Sequence, residues 1–136
     1  MRPSPASVVQ AANTIILRNG DLDAIPDFFA PSYVAHGTDG DMDGGHESIR
    51  RFLGMIQKAF PDLELEVEVL VESGDRVAWV RRLEAVQKGS FMGFPATGRR
   101  VVWRDMITSR VEDGRIMEEW VLTDLAERLL RARKGT

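Results

Sequence analysis

Hydrophobic and polar positions divide the chain into a helical first half and a stranded second half. From Ala6 to Asn19 the apolar residues Val8, Val9, Ala12, Ile15 and Ile16 recur at helical spacing. This predicts an amphipathic helix capped by Ser7 and ended by Asn19-Gly20. Asp21 caps a second, short helix through Ala30, with Ile25, Phe28 and Phe29 as its buried face. Pro26 fits the first turn of that helix and Pro31 stops it. Ser32 to His36 reads as a short strand, and Thr38 to Gly45 as a loop rich in Asp and Gly. Ile49, Phe52, Leu53, Ile56 and Phe60 mark a third amphipathic helix over His46 to Phe60, closed by Pro61.

After Pro61 the period changes to two. Leu63, Leu65, Val67 and Val69 alternate with Glu64, Glu66 and Glu68, the pattern of a half-buried strand. Ser73-Gly74-Asp75 is a turn; Arg76 to Lys88 and Arg99 to Val111 are further strands. Glu112-Asp113-Gly114 is a hairpin turn into a strand over Arg115 to Thr123, and Leu125 to Arg133 is a closing helix. Helices followed by hairpin-linked strands predict an α+β fold, its helices packed on one face of an antiparallel sheet. The 136 residues suit one domain with one core, and no repeat or linker interrupts residues 1–136.

Composition narrows the function classes. Apolar residues make up 43% and charged residues 29%, as in an ordinary globular domain. The net charge is −3, from 18 basic and 21 acidic side chains, so no footprint for nucleic acid is present. The arginine pairs Arg50-Arg51, Arg81-Arg82 and Arg99-Arg100 all have acids nearby and read as a solvated mixed-charge surface. The absence of cysteine excludes disulfides, thiolate chemistry and Cys-ligated metals. Met1 to Ser7 carries no apolar run, and no segment is long enough to span a bilayer, so the expected location is the cytoplasm. Val77-Ala78-Trp79-Val80 is apolar on both strand faces, which predicts a homodimer that covers the outer sheet surface.

Asp39-Gly40-Asp41-Met42-Asp43-Gly44 imitates half of a calcium loop, but Arg50 stands where the bidentate Glu belongs. The segment therefore reads as a solvated loop. The two histidines, His36 and His46, lack the spacing of a known metal motif, so no metal site is expected. No nucleophile elbow, phosphate loop or dinucleotide fingerprint occurs. Asp105 is the most suggestive residue. It lies mid-strand and shares a face with Trp103 and Ile107. Burial disfavours the charged form of a carboxylate, which suits a general base that removes a proton beside a carbonyl. Strand parity leaves a second arrangement open, with Asp105 outward and paired with a neighbouring arginine. Trp79, Trp103 and Trp120 lie on three consecutive strands, and Phe52, Phe60 and Phe91 on the third helix and a loop. This set suits either a plain core or the wall of a pocket for a flat polycyclic ligand.

Several short segments carry a resemblance. Ala59-Phe60-Pro61-Asp62-Leu63, Gly74-Asp75-Arg76-Val77, Pro95-Ala96-Thr97-Gly98-Arg99 and Glu112-Asp113-Gly114-Arg115-Ile116 come first, then Glu119-Trp120 and Asp124. In order and spacing, from Tyr33 to Leu130, the chain resembles the SnoaL-like polyketide cyclases, within the superfamily of cone-shaped α+β folds that includes ketosteroid isomerase. The resemblance implies a cone-shaped α+β barrel, with a curved antiparallel sheet and N-terminal helices closing an apolar cavity. It implies an acid/base aspartate on the strand after Pro-Ala-Thr-Gly-Arg, and Asp105 holds that place. No metal or tightly bound cofactor is implied. One departure stands out: the family's Gly-Thr-His-x-Gly segment is Ala85-Val86-Gln87-Lys88-Gly89 here. Gln87 replaces a proton-donating histidine and can only offer hydrogen bonds. Related cyclase-like hydroxylases act on anthracycline-type polyketides, so the substitution tilts the expectation from aldol cyclisation toward hydroxylation.

The expected enzyme tailors an aromatic polyketide in antibiotic biosynthesis. Asp105 is its base, Gln87 and His36 orient substrate oxygens, and Trp79, Trp103, Trp120, Phe52 and Phe91 line the pocket. An external reductant, from a separate reductase, would serve hydroxylation. The other reading is a non-catalytic module for small-molecule binding or dimerisation on the same fold.

Overall fold

The computed structural model describes residues 3–135. Helix α1 (Pro5–Ala12) begins at Ser4, not Ser7: Ser4 Oγ accepts the Ser7 N–H at 3.2 Å, and Pro5 takes the first helical position. The helix continues as a wider π-helical segment, Asn13–Arg18, and ends at Asn19 before Gly20, whose φ is +75°. Asp21 accepts the Asp23 N–H and starts a 3-10 turn (Leu22–Ala24) that runs into α2 (Ile25–Phe28). The predicted second helix therefore stops two residues early. Phe29 and Ala30 already belong to strand β1 (Phe29–Gly37). Pro31 lies in that strand, within the stretch where its pairing register shifts, a position that tolerates a missing N–H.

The Asp/Gly loop contains a short strand the pattern did not reveal, β2 (Gly40–Met42), folded back on β1 with His36 opposite Asp41. Helix α3 (Gly45–Ala59) then leads to β3 (Glu64–Ser73), β4 (Arg76–Val86), β5 (Arg100–Glu112), β6 (Arg115–Thr123) and α4 (Leu125–Lys134). The six strands form one curved, open sheet in the order β2-β1-β6-β5-β4-β3. The fold is the expected α+β cone. Its sheet is mixed instead of wholly antiparallel, because β1 runs parallel to β6. Among the described residues no helix is long and apolar enough to cross a membrane.

The inner face of β5 carries Val101, Trp103, Asp105, Ile107, Ser109 and Val111, all buried. Opposite them β4 contributes Val77, Trp79, Arg81, Leu83 and Ala85. The core above this face has two apolar clusters. One gathers Val8, Val9, Ile16, Ile25, Tyr33, Trp79 and Ile107; the other gathers Ile56, Phe60, Leu65, Leu83, Trp103 and Leu129. Leu17 and Val67 pack against both. Asp105 lies between Trp103 and Ile107, and Arg81 between Trp79 and Leu83. The polar pair thus occupies the seam between the clusters.

Candidate active site

Asp105 faces inward and is also paired with an arginine, combining features of both arrangements the sequence left open. Its residue is 4% exposed. Arg81, directly opposite on β4, donates from Nε to Asp105 Oδ2 at 2.7 Å. The same guanidinium donates from Nη1 to Asn13 Oδ1 at 2.9 Å, and Asn13 Nδ2 donates to the Val9 carbonyl. The first residue of the π-helical segment thus fixes the arginine that fixes the aspartate. Burying a carboxylate costs several kcal/mol unless a partner compensates it, and Arg81 is that partner. Asp105 Oδ1 has no hydrogen-bond partner among the described residues. Such an orphan is costly to a fold, and it leaves a lone pair free to accept a proton.

A second polar group adjoins the first. Glu119 is buried; its Oε1 accepts the Tyr33 hydroxyl at 2.6 Å and its Oε2 accepts the Ser109 hydroxyl at 2.5 Å. Trp79 Nε1 donates to Ser109 Oγ at 2.9 Å, and the Arg81 guanidinium lies 5.3 Å from the Trp79 ring centroid. One chain of contacts therefore runs from Asp105 through Arg81, Trp79 and Ser109 to Glu119 and Tyr33. Burial pushes the Glu119 carboxyl up from its ordinary range, against the pull of Ser109, Tyr33 and Arg81; the Asp105 charge adds to the rise. Burial, and then the Glu119 charge, push the Tyr33 phenol well above its ordinary value.

The other residues singled out by sequence divide into two groups. Trp79 and Trp103 lie on the inner face with Asp105. Trp103 packs 4.8 Å from Phe60, Phe60 packs 5.7 Å from the buried Phe91, and Phe52 meets Phe91 at the edge of α3. These aromatics form a row leading from the surface to the seam. His36 and Trp120 do not join them. They are neighbours across the parallel β1–β6 pair, stacked 5.3 Å apart on the outer sheet face, with Arg76 over the Trp120 ring. His36 is held there by Asp41 and Glu118. Gln87 is fully buried, but its side chain is spent on its own loop. Nε2 donates to the Gly89 and Phe94 carbonyls, and Oε1 accepts the Thr97 hydroxyl. These bonds tie the 88–98 segment shut. Asp41, from the calcium-like loop, pairs with His36, and among the described residues no group of three or more acidic or histidine side chains is placed to hold a metal ion.

An apolar cleft lies apart from Asp105. The cleft, of about 260 Å³, lies between the π-helical segment, α3 and the 60–63 turn, lined by Ile16, Leu17, Leu53, Ile56, Phe60 and Leu63, with Arg18 and Gln57 also on its wall. Asp105 is not among its lining residues. Leu17 and Phe60 stand between cleft and seam, since each lines the one and packs in the cluster beside the other. The cleft falls below the roughly 300–1,000 Å³ of typical ligand sites, so a polycyclic guest needs these walls to move.

Asn13, Tyr33, Ser109 and Glu119 are site residues that sequence reading did not single out, and Arg81, read with Arg82 as solvated surface, instead turns inward because β4 alternation places it opposite Asp105. Ser109 shares the parity of Asp105 and was open to inference. Glu119 was hidden by a bulge: the register between β5 and β6 shifts between Arg110 and Val111, which resets the alternation of β6 around Met117.

The family profile described as SnoaL-like polyketide cyclase matches residues 6–131. No curated protein sequence matches the chain. Among solved structures, IdmH from Streptomyces antibioticus, a candidate polyketide cyclase, is 31% identical over 98% of this chain and 100% of its own, with TM-score 0.79. AclR from Streptomyces galilaeus, a candidate hydroxylase, is 28% identical over 97% of this chain and 82% of its own, with TM-score 0.81. A candidate SnoaL-like cyclase from Jannaschia sp. CCS1 is 26% identical over 97% of this chain and 92% of its own, with TM-score 0.82.

Proposed function

The chain belongs to the SnoaL-like polyketide cyclase family, and on that premise we propose that it tailors a polycyclic aromatic polyketide by base-assisted carbanion formation, with hydroxylation as the outcome. The carrying observation is Asp105: inward, compensated by Arg81, with Oδ1 unpartnered. In the proposed step Oδ1 takes a proton from a carbon beside a substrate carbonyl, and the electron pair delocalises onto that carbonyl oxygen. The extended conjugation of the substrate stabilises the charge without a metal. The carbanion then bonds to dioxygen, giving a hydroperoxide after protonation. Two electrons and two protons, supplied by an external reductant through a separate reductase, reduce the hydroperoxide to the alcohol and water. Trp79, Trp103, Phe91 and Phe52 are the proposed aromatic contacts, reached through the cleft beside Phe60. The confinement of Gln87 to its loop supports this outcome, because no proton donor stands where the family's histidine would meet an alkoxide. AclR, the 28%-identical candidate hydroxylase, also favours it.

The second reading is aldol cyclisation, favoured by the family's description and by IdmH. The same carbanion then attacks a carbonyl within the substrate. Mass spectrometry of products from anthracycline-type intermediates, with dioxygen and a reductase, separates the readings. Gain of one oxygen atom is expected; unchanged mass with altered retention makes the chain a cyclase. Asp105→Asn should lower turnover by about 10²–10⁴-fold, the scale of general-base catalysis. Unaltered turnover in that variant makes another group the base; tight binding of intermediates with no product in the wild type makes the chain a binding module.

We propose further that the outer sheet face forms a homodimer. Val71, Ala78, Val80, Met106 and Leu122 make a band across β3, β4, β5 and β6, with Val71, Met106 and Leu122 exposed. Met106→Glu should shift the mass measured by light scattering to that of the monomer.

A further inference from the structure

The proposed reaction leaves one buried acid unused. Glu119 lies within the cone, takes part in no ion pair among the described residues, and accepts hydrogen bonds from Tyr33 and Ser109. Two buried carboxyl groups, Asp105 and Glu119, share the field of a single cation, Arg81, and only Asp105 holds it directly. A low-dielectric interior does not tolerate the surplus negative charge well. The balance closes if one of the two carboxyls carries a proton.

We propose that Glu119 is the proton-holding partner of Asp105: a positioning residue that keeps the resting proton of the cluster, so that Asp105 rests as a carboxylate free to accept one from a substrate. This deepens the reading of Asp105 as a base and rests on it. The geometry favours Glu119 as the holder. Asp105 receives a charge-assisted bond from Arg81 at 2.7 Å, whereas Glu119 meets only the neutral hydroxyls of Tyr33 and Ser109. Either hydroxyl can reverse and accept a proton from Glu119, since Ser109 Oγ and Tyr33 Oη are donors and acceptors alike. The groups facing Glu119 come from each packed element: Tyr33 from β1, Trp79 and Arg81 from β4, Asp105 and Ser109 from β5. On α3, which packs on β1, His46 is occupied by the Phe29 carbonyl. Burial raises the Glu119 carboxyl and the Asp105 charge raises it further, in line with this assignment.

The contact chain supplies a reporter that needs no substrate. Trp79 donates to Ser109, which donates to Glu119. In a protein carrying W103F and W120F, Trp79 emission should titrate with a midpoint above the ordinary carboxylate range, while far-UV circular dichroism stays constant. Glu119→Gln should abolish that transition. Asp105→Asn should keep it and move it down by about one pH unit, the coupling scale of interacting acids. Carboxyl carbon NMR on the unsubstituted protein, with labelled Asp and Glu, reads the same proton and does not depend on any variant folding. The proposal is overturned by a transition that Asp105→Asn removes and Glu119→Gln keeps, by one whose midpoint Asp105→Asn does not shift, or by no titration of Glu119 above the ordinary range. Since no turnover enters, failure here leaves the activity of Asp105 as a separate question.

Discussion

Glu118 and Glu119 are consecutive residues of β6, yet Glu118 stands on the outer face with His36 and Arg110 while Glu119 lies under the helices with Tyr33, Ser109 and the field of Arg81. Their carboxyls shift in opposite directions. The His36 hydrogen bond, more than any other contact, holds Glu118 below the ordinary range; burial holds Glu119 above it. On the outer face water and mobile partners neutralise charge at little cost. On the inner face every charge needs a dedicated partner, and one cation serves two acids. The same contrast separates the two faces generally: ion pairs outside are interchangeable, and polar contacts inside are obligatory.

The sharpest way to break this comparison is Arg81→Met. It leaves Asp105 buried without its counter-ion, and the stability measured by denaturant unfolding should fall by about 3–5 kcal/mol. An effect below 1 kcal/mol would mean that the inner face is as forgiving as the outer one. Ser109→Ala comes next. It strands the Trp79 N–H and one oxygen of Glu119, for a loss of about 1–3 kcal/mol by the same measurement.

Glu119→Gln tests the inner acid through linkage. Because the folded-state value of Glu119 is raised, the folded chain holds a proton that the unfolded chain has already released. Its contribution is fully present below the ordinary carboxylate value and declines as pH rises through the folded one. Urea unfolding across pH should show that decline in the wild type and a flatter profile in the variant.

Glu118→Gln should give the smallest effect. His36 is raised, chiefly by its hydrogen bond to Glu118, so its share of the pairing is present below the ordinary histidine value and lost as pH rises through the raised one. Glu118 is lowered, so its share is lost as pH falls through the lowered value. The pair is therefore intact in a mildly acidic to neutral window. Imidazole NMR should show the His36 titration moving down in the variant, with little change in unfolding midpoint.

Much of the fold was legible. The alternation of Leu65, Val67 and Val69, the Gly74 and Gly114 turns, and the α3 stripe of Ile49, Leu53 and Ile56 report local periodicity directly. What was not legible depends on partners distant in the chain. Phe29 and Ala30 read as the end of a helix because their apolar spacing fits one, and pairing with β6 overrides it. Strand β2 is three residues of Gly, Asp and Met, with no propensity to announce it. In the site, the shared face of Trp103, Asp105 and Ile107 was legible because β5 is regular across them, while which face it is depends on partners in other elements. Trp120 was misplaced, and Glu119 passed over, because one bulge reverses parity for everything after it. Gln87 was recognised as a substitution, but its engagement with Gly89, Phe94 and Thr97 belongs to a loop closure that residue type does not encode.

The seam between the two apolar clusters has a mechanical consequence. Each cluster coheres through its own side chains, and the continuous β4–β5 pair runs beneath both, with Leu17 and Val67 bridging the polar line between them. Regions with few shared apolar contacts open at lower free energy than the whole molecule unfolds. By that rule the helices above the sheet part most readily over Asp105 and Arg81, where the side chains that meet are polar, and the cleft walled by Leu17 and Phe60 lies next to that line.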